Sequence, residues 1–266
     1  MPLDSHCLPS AISPLPDAPG GPGTAPTWTS SAKDMVGGSL GPARLWFTLG
    51  FGIITEVYYP RVDLPQIRDL GFIVGDGAGF WVEVKRLGTY DVRLVAPGVP
   101  AVEILHRHPR FRLRLRVTPD PLRDVLLIEA TLTGDPALRL YALLAPRLGA
   151  TGEGNVAAVA RYRGRRVLWA EQGPYGLALV AADATQRDAL GAASAGYVGV
   201  SDGWQDFAAH GTLTWQYPHA GPGNVALVAA LPVRAVLALG FAATKQAAAT
   251  LAVSSLLEPF AAVLLR

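Results

Sequence analysis

The chain has almost no cysteine. Cys7 is the single one, so an intramolecular disulfide cannot form and a thiolate metal cluster is excluded. Charge is also scarce: 17% of residues are charged, and the formal net charge is +2. Arginine far outnumbers lysine, but no dense basic run occurs, so no nucleic-acid partner is expected. Apolar runs of membrane length are missing as well. The nearest, residues 235–266, is broken by Lys245, Gln246 and Glu258-Pro259, and no membrane partner is expected. A secretory leader is not legible. Asp4 stands where a basic segment belongs, and prolines at 9, 14, 16 and 19 interrupt any apolar stretch, so the expected location is the cytoplasm. No cofactor is expected either. Gly152-Glu153-Gly154-Asn155 and Gly221-Pro222-Gly223 read as hairpin glycines, because neither opens a helix after a strand as a phosphate cradle must.

What the chain does have is apolar bulk. Half of its 266 residues are hydrophobic, which excludes disorder and provides for one sizeable core. Most of that bulk comes in short runs rich in β-branched and aromatic residues, separated by Gly and Pro. Residues 43–49, 53–59, 70–74 and 80–87 read as strands, with Gly75-Asp76-Gly77-Ala78-Gly79 as a hairpin turn. Residues 89–95, 101–108, 111–118 and 125–133 continue the series. In 111–118 the alternation is strict: Phe111, Leu113, Leu115 and Val117 on one face, Arg112, Arg114 and Arg116 on the other. Further strands are predicted over 138–146, 156–162, 166–171, 177–182, 211–217 and 223–231, with room for a short helix in 183–195. Thr244–Leu257 is Ala-rich and precedes Pro259, the pattern of a helix with a stop. Strand runs followed by one helix predict an all-β fold, an antiparallel β-sandwich with a C-terminal linker helix. The expected organisation is a flexible Pro/Gly-rich tail over 1–27, a sandwich over 28–240 and a helical linker over 241–266.

One segment is more specific. Thr55-Glu56-Val57-Tyr58-Tyr59-Pro60, followed by Asp63, Pro65 and Arg68-Asp69-Leu70, resembles the N-terminal domain of bacterial glucoamylases and glucodextranases, glycoside hydrolase family 15. Trp46-Phe47-Thr48-Leu49-Gly50 and Lys33-Asp34 fit the same pattern, and the similarity runs from about Ala25 to the C-terminus. The resemblance implies a large antiparallel sandwich (a supersandwich) joined by a helical linker to a catalytic barrel of helix pairs. Family members hydrolyse α-glucosidic bonds with inversion, which needs two carboxyl groups on opposite faces of the sugar. In the family both sit in the barrel, which would begin where this chain stops at Arg266. This chain alone is therefore expected to be inactive. The implied role is to support folding of, or substrate access to, a barrel not present in it. The alternative is a free-standing module that binds α-glucan. Expected partners are accordingly an α-glucan or a helical-barrel catalytic domain.

Seven residues are candidates for contact with substrate or barrel: Tyr58, Tyr59, Asp63, Arg68, Asp69, Trp204 and Asp206. Tyr58-Tyr59 with Asp63 offers ring faces and a carboxylate to a sugar, but adjacent strand residues point to opposite faces, so one Tyr in the core and the other at the start of the turn is the reading preferred here. Arg68 and Asp69 are expected to hold the turn by local hydrogen bonds, with Asp63 toward the barrel. Trp204 and Asp206 lie in Ser201-Asp202-Gly203-Trp204-Gln205-Asp206-Phe207, which is similar to a family segment. They suit glucan binding or a packed loop. His106 and His108 alternate as a metal pair does but lack a third ligand, and a solvated edge is expected. Ser5-His6-Cys7 lies in the tail, where no nucleophile can be preorganised. Leu251, Leu256, Leu257, Phe260 and Val263 form a C-terminal apolar stripe whose exposure would drive self-association.

Overall fold

The structure is a computed structural model that describes residues 15–264. Its first strands are β1 Met35–Gly38, β2 Trp46–Gly50, β3 Ile53–Tyr58, β4 Ile67–Gly75 and β5 Trp81–Glu83. Hairpins then join β6 Tyr90–Leu94, β7 Val102–His108, β8 Phe111–Pro119 and β9 Val125–Gly134. Next come β10 Arg139–Pro146, β11 Asn155–Tyr162, β12 Arg165–Gln172, β13 Tyr175–Ala182 and β14 Ala193–Tyr197. The remainder is helix α1 Gly203–His210, strands β15 His219–Gly223, β16 Val225–Leu231 and β17 Arg234–Ala242, and helices α2 Lys245–Leu256 and α3 Phe260–Leu264.

The strands form two antiparallel sheets packed face to face. The first has the order β1-β2-β3-β4-β10-β16-β14, with β5 paired to β4; the second has the order β15-β11-β12-β13-β17-β9-β8-β7-β6. The expected all-β sandwich is therefore present. The period-two pattern of β8 does what it foretells: Phe111, Leu113, Leu115 and Val117 are buried in the core, while Arg112 and Arg114 face solvent.

Central strands lack such alternation. In β10 every residue from Leu140 to Pro146 is buried, and in β13 every residue from Gly176 to Ala182. Strands apolar on both faces must be covered on both. Helix α2 covers the second sheet. Its Ala248, Ala249 and Ala252 pack on Ala178, Val180 and Ala238. These small residues let the helix backbone come close. A Cβ at Gly240 would stand 2.5 Å from the Ala248 carbonyl oxygen, so only glycine fits there. Helix α1 covers part of the first sheet, with Phe207 buried against Ile73, Tyr141 and Val228.

Five expectations are corrected. The C-terminal stripe is not open. Leu256, Phe260 and Val263 are buried under the second sheet and Leu251 is half-buried, which leaves Leu257, 70% exposed, as its free member. Ser255 Oγ fastens the helix by donating to the buried Asp120 carboxylate at 2.6 Å, and Arg123 bridges Asp120 and Glu258. The stripe is thus covered by the protein's own second sheet rather than left open. Nor is the whole of 1–27 a loose tail. Ala18 N–H bonds the His219 carbonyl, Thr24 N–H that of Val198, and the Pro22 carbonyl accepts from Asn224. Residues 1–14, with Ser5-His6-Cys7, lie outside the described residues. Finally, 203–210 is helical and 211–217 is not a strand. Asp206, fully buried, takes the amides of Thr214 and Trp215 that a ladder would need. Residues 183–192 hold no helix, because the Asp183 side chain closes a turn on Thr185 and Arg187. Trp81–Glu83 passes directly into a 3-10 turn at Val84–Arg86, ending the strand expected to reach residue 87.

The two leucines at the end of α2 give a stability test. Leu256→Ala empties a buried site and is expected to cost about 2–5 kcal/mol. Leu257→Ala, one residue on and exposed, should leave the denaturation midpoint unmoved. Equal losses in urea titrations of the two variants would mean that α2 is not seated as described.

Candidate functional site

The segment Thr55–Leu70 positions a charged surface on the outer face of the first sheet. Along β4, Leu70, Phe72 and Val74 face the core. Strict alternation would turn Arg68 inward with them. A β-bulge prevents this: Ala145 pairs with Asp69, but Pro146 pairs with Ile67, so Arg68 is the extra residue. The bulge brings Arg68 and Asp69 side by side on the outer face, their ion-pairing atoms 3.5 Å apart. From there an ionic chain crosses to α1. Lys85 Nζ stands 3.3 Å from Asp69 and 3.1 Å from Glu83. Glu83 accepts from Arg86 at 2.8 Å and from the Trp204 indole N–H at 3.1 Å. The Arg86 guanidinium lies over the Trp204 ring, which meets Trp81 edge-on. Burial disfavours the Lys85 cation, but Asp69 and Glu83 outweigh it and hold its pKa above the ordinary lysine value.

A second cluster lies beside the first. Glu56 on β3 pairs with Lys33 at 2.7 Å and accepts hydrogen bonds from Thr29 at 2.7 Å and Tyr58 at 2.8 Å. Burial pushes the Glu56 carboxyl up, but the bonds from Lys33, Thr29 and Tyr58 prevail and leave it below the usual range. Burial and that same carboxylate push the Tyr58 phenol up to about 12. At neutral pH the cluster therefore holds an ionised carboxylate and a protonated phenol. Arg147, buried, donates to the Thr27 carbonyl at 2.7 Å and carries the Trp28 ring 3.5 Å from its guanidinium carbon.

The seven candidates thus fall into groups. Arg68, Asp69 and Trp204 share one ionic chain. Tyr58 belongs to the neighbouring Glu56 cluster. Tyr59 is buried, stacked on Phe241 and overlain by Arg44, so the two tyrosines do point to opposite sides. Asp63 is 61% exposed on the turn and bound in a two-point pair to Arg61, apart from the others. Asp206 fastens α1 to the following loop through Thr214, Trp215 and His210. Asp202 starts that helix by capping the Trp204 and Gln205 amides. Arg68 and Asp69 do not hold the turn at Pro60; Gln66 does. Fully buried, Gln66 donates to the Tyr59 carbonyl at 2.6 Å and accepts from the Gly149 amide at 3.0 Å. Sequence reasoning passed over Gln66, Trp28, Arg147, Glu83 and Lys85. Trp28 carried a signal, as a lone aromatic in a Pro/Ser/Thr stretch, but it adjoined the segment read as a tail.

His106 is not on a solvated edge. It is fully buried on the core side of β7, with Nε2 donating to the Gly52 carbonyl at 2.8 Å and Nδ1 without a partner. His108 is stacked on Phe111 and meets the tilted ring of Phe80. Among the described residues, no group of three or more His, Cys, Asp or Glu is placed to hold a metal ion, and no helix is long and apolar enough to cross a membrane.

Two tests follow from this geometry. Gln66→Ala orphans a buried carbonyl and a half-buried amide and is expected to cost about 1–3 kcal/mol, whereas Asp63→Ala should leave thermal melting unchanged. A melt of both variants decides between them. The second test is of pH. Burial lowers the His106 pKa from the ordinary 6.5, against the raising effect of its bond to Gly52, so the folded state keeps it neutral where the unfolded chain protonates. Its contribution is fully present above about pH 6.5 and declines as pH falls below that value. His106→Gln, which keeps a donor for Gly52, should flatten this part of the stability profile. An unchanged slope would remove His106 as its source.

Comparison with known proteins places this geometry in a family. The family described as "Glucodextranase, domain N" matches residues 18–266. A glucoamylase of Clostridium sp. (strain G0005) is 28% identical over 159 residues, covering 57% of this chain and 23% of that protein. The crystal structure of a bacterial glucoamylase complexed with acarbose superposes with a TM-score of 0.87 at 25% identity, over 93% of this chain and 37% of that one. The chain therefore matches only 23% and 37% of the length of these relatives. It belongs to the glucodextranase N-domain family, the N-terminal β-sandwich domain of glucoamylase-type proteins.

Proposed function

We propose that this chain is the non-catalytic sandwich of an α-glucan hydrolase, supporting the folding or substrate access of a catalytic barrel. The observation that carries the reading is one of extent. Nearly the whole chain corresponds to little more than a third of a bacterial glucoamylase, so the activity named for the relative has ample residues elsewhere. The carboxylates of the charged surface fit a structural part. An inverting hydrolase needs one carboxyl raised in pKa to donate a proton and another free to activate water. Glu56 is instead held low by three hydrogen-bond donors, and Asp69 and Glu83 share Lys85. The ionic surface is also suited to meeting another protein surface, since its charges are already paired and so cost less to desolvate.

The purified chain is expected to release no glucose from starch, maltose or dextran. Added to the separately produced remainder of a glucoamylase relative, it should raise the yield of soluble, active enzyme. Turnover that copurifies with this chain and is abolished by Glu56→Gln or Asp69→Asn would overturn the reading.

A further inference from the structure

Beside the Glu56 cluster, a cleft of about 410 Å3 opens on the outer face of the first sheet. That volume is within the range of small-molecule sites, roughly 300–1,000 Å3. Two aromatic rings stand on its rim, Trp28 at 63% and Phe51 at 43% exposure. Both are costly to leave in water, and each is held there by its surroundings.

Trp28 is supported from behind. The Arg147 guanidinium lies 3.5 Å from the ring centre and is itself buried and tied to the Thr27 carbonyl. The indole is thus a braced plate with more than half its surface in solvent. Phe51 is stranger. With Gly52 it forms the two-residue turn between β2 and β3, and φ is positive at both, 56° and 70°. Such turns favour Asn, Asp or Gly at the first position, because a side chain at positive φ crowds its own backbone. A phenylalanine there is strained and its ring is outside the core. Strained positions of this kind persist where the surrounding structure holds them, and they cluster at ligand-contacting sites.

Apart from Ile53, the rest of the cleft lining is polar, and includes Thr55, Arg68, Asp69 and Lys85. Its charges are largely paired within the protein, as Asp69 with Lys85 at 3.3 Å and, next to it, Glu56 with Lys33 at 2.7 Å. Paired charges offer hydrogen bonds without calling for a counter-ion. Flat apolar rings with hydrogen-bonding groups between them match a pyranose, whose C–H faces are apolar and whose rim carries hydroxyls.

From this we infer that the cleft between Trp28 and Phe51 is a saccharide site for a short, neutral gluco-oligosaccharide. The gluco configuration and the α-linkage of the sugar rest on the function proposed above; the stacking geometry does not. The site would hold a glucan end on the sandwich itself.

The test is titration of the full chain with maltohexaose, followed by tryptophan fluorescence and calorimetry, with cellohexaose as the comparison sugar. Maltohexaose is expected to bind and change the fluorescence. Trp28→Ala should weaken binding about tenfold or more through the lost stacking face, with the fold retained in circular dichroism. Phe51→Asn is the sharper variant. It relieves the turn, so it should melt at a higher temperature than the parent while binding maltohexaose several-fold more weakly. Absence of maltohexaose binding at millimolar concentration overturns the site, even if the chain still promotes folding of a relative's catalytic part, which leaves the proposed function standing. Binding of cellohexaose alone, abolished by Trp28→Ala, overturns the α-linked ligand and weakens that function with it. Wild-type affinity in both variants overturns the placement.

Discussion

Both outer faces of this sandwich need covers, because its central strands are apolar on both sides. That constraint organises the rest of the molecule. A strand such as β10, buried from Leu140 to Pro146, cannot lie at a solvent surface without exposing Tyr141, Leu143 and Ala145. The second sheet resolves this with the alanine face of α2, brought so close that Gly240 can carry no side chain. The first sheet resolves it only in part. Phe207 of α1, with Trp81, covers its β4, β10 and β16 end, and the β2–β3 end is left to polar groups and the segment at 27–34.

The uncovered half is where the chemistry collects. An extra residue in β4 turns Arg68 outward beside Asp69, and one displaced side chain is enough to start an ionic chain that reaches Trp204 through Lys85 and Glu83. Glu56 performs the same service for the N-terminal segment, drawing in Lys33 and Thr29. Lys33 and Asp34, adjacent in sequence, serve different strands, since Tyr90 donates to Asp34. These ties explain why a Pro- and Ser-rich stretch runs an ordered course along the sheet. They also explain the low pKa of Glu56: a carboxylate bonded by three donors is stabilised in its charged form more than burial destabilises it.

The turn at Phe51-Gly52 links this surface to the core. Its strained aromatic faces the cleft, and its glycine carbonyl is held from beneath by the buried, neutral His106. A Cβ at Gly52 would stand 2.4 Å from that imidazole, so the turn and the histidine fix each other's position. A histidine read in sequence as lying on a solvated edge is in fact the support of a hairpin.

The sequence by itself determined the fold class, the strands with clean period-two alternation, the helix over 245–256 and the family, because each depends on local pattern or on a residue order that survives without coordinates. Strand β8 is the plainest instance, with its arginines out and its leucines in. Tertiary structure alone decided the rest. No spacing rule reveals that Arg68 occupies a bulge, since the extra residue is defined only against β10. Asp206 became a fastener rather than a surface acid because the chain folds back to bring it the amides of Thr214 and Trp215. Asp120 pins a helix 135 positions away, a contact with no trace in local sequence. The C-terminal stripe read as open because a helix displays its apolar residues alike whether or not a sheet lies beneath them. Which faces are free is a property of what packs on them, and that is settled only when the sheets close.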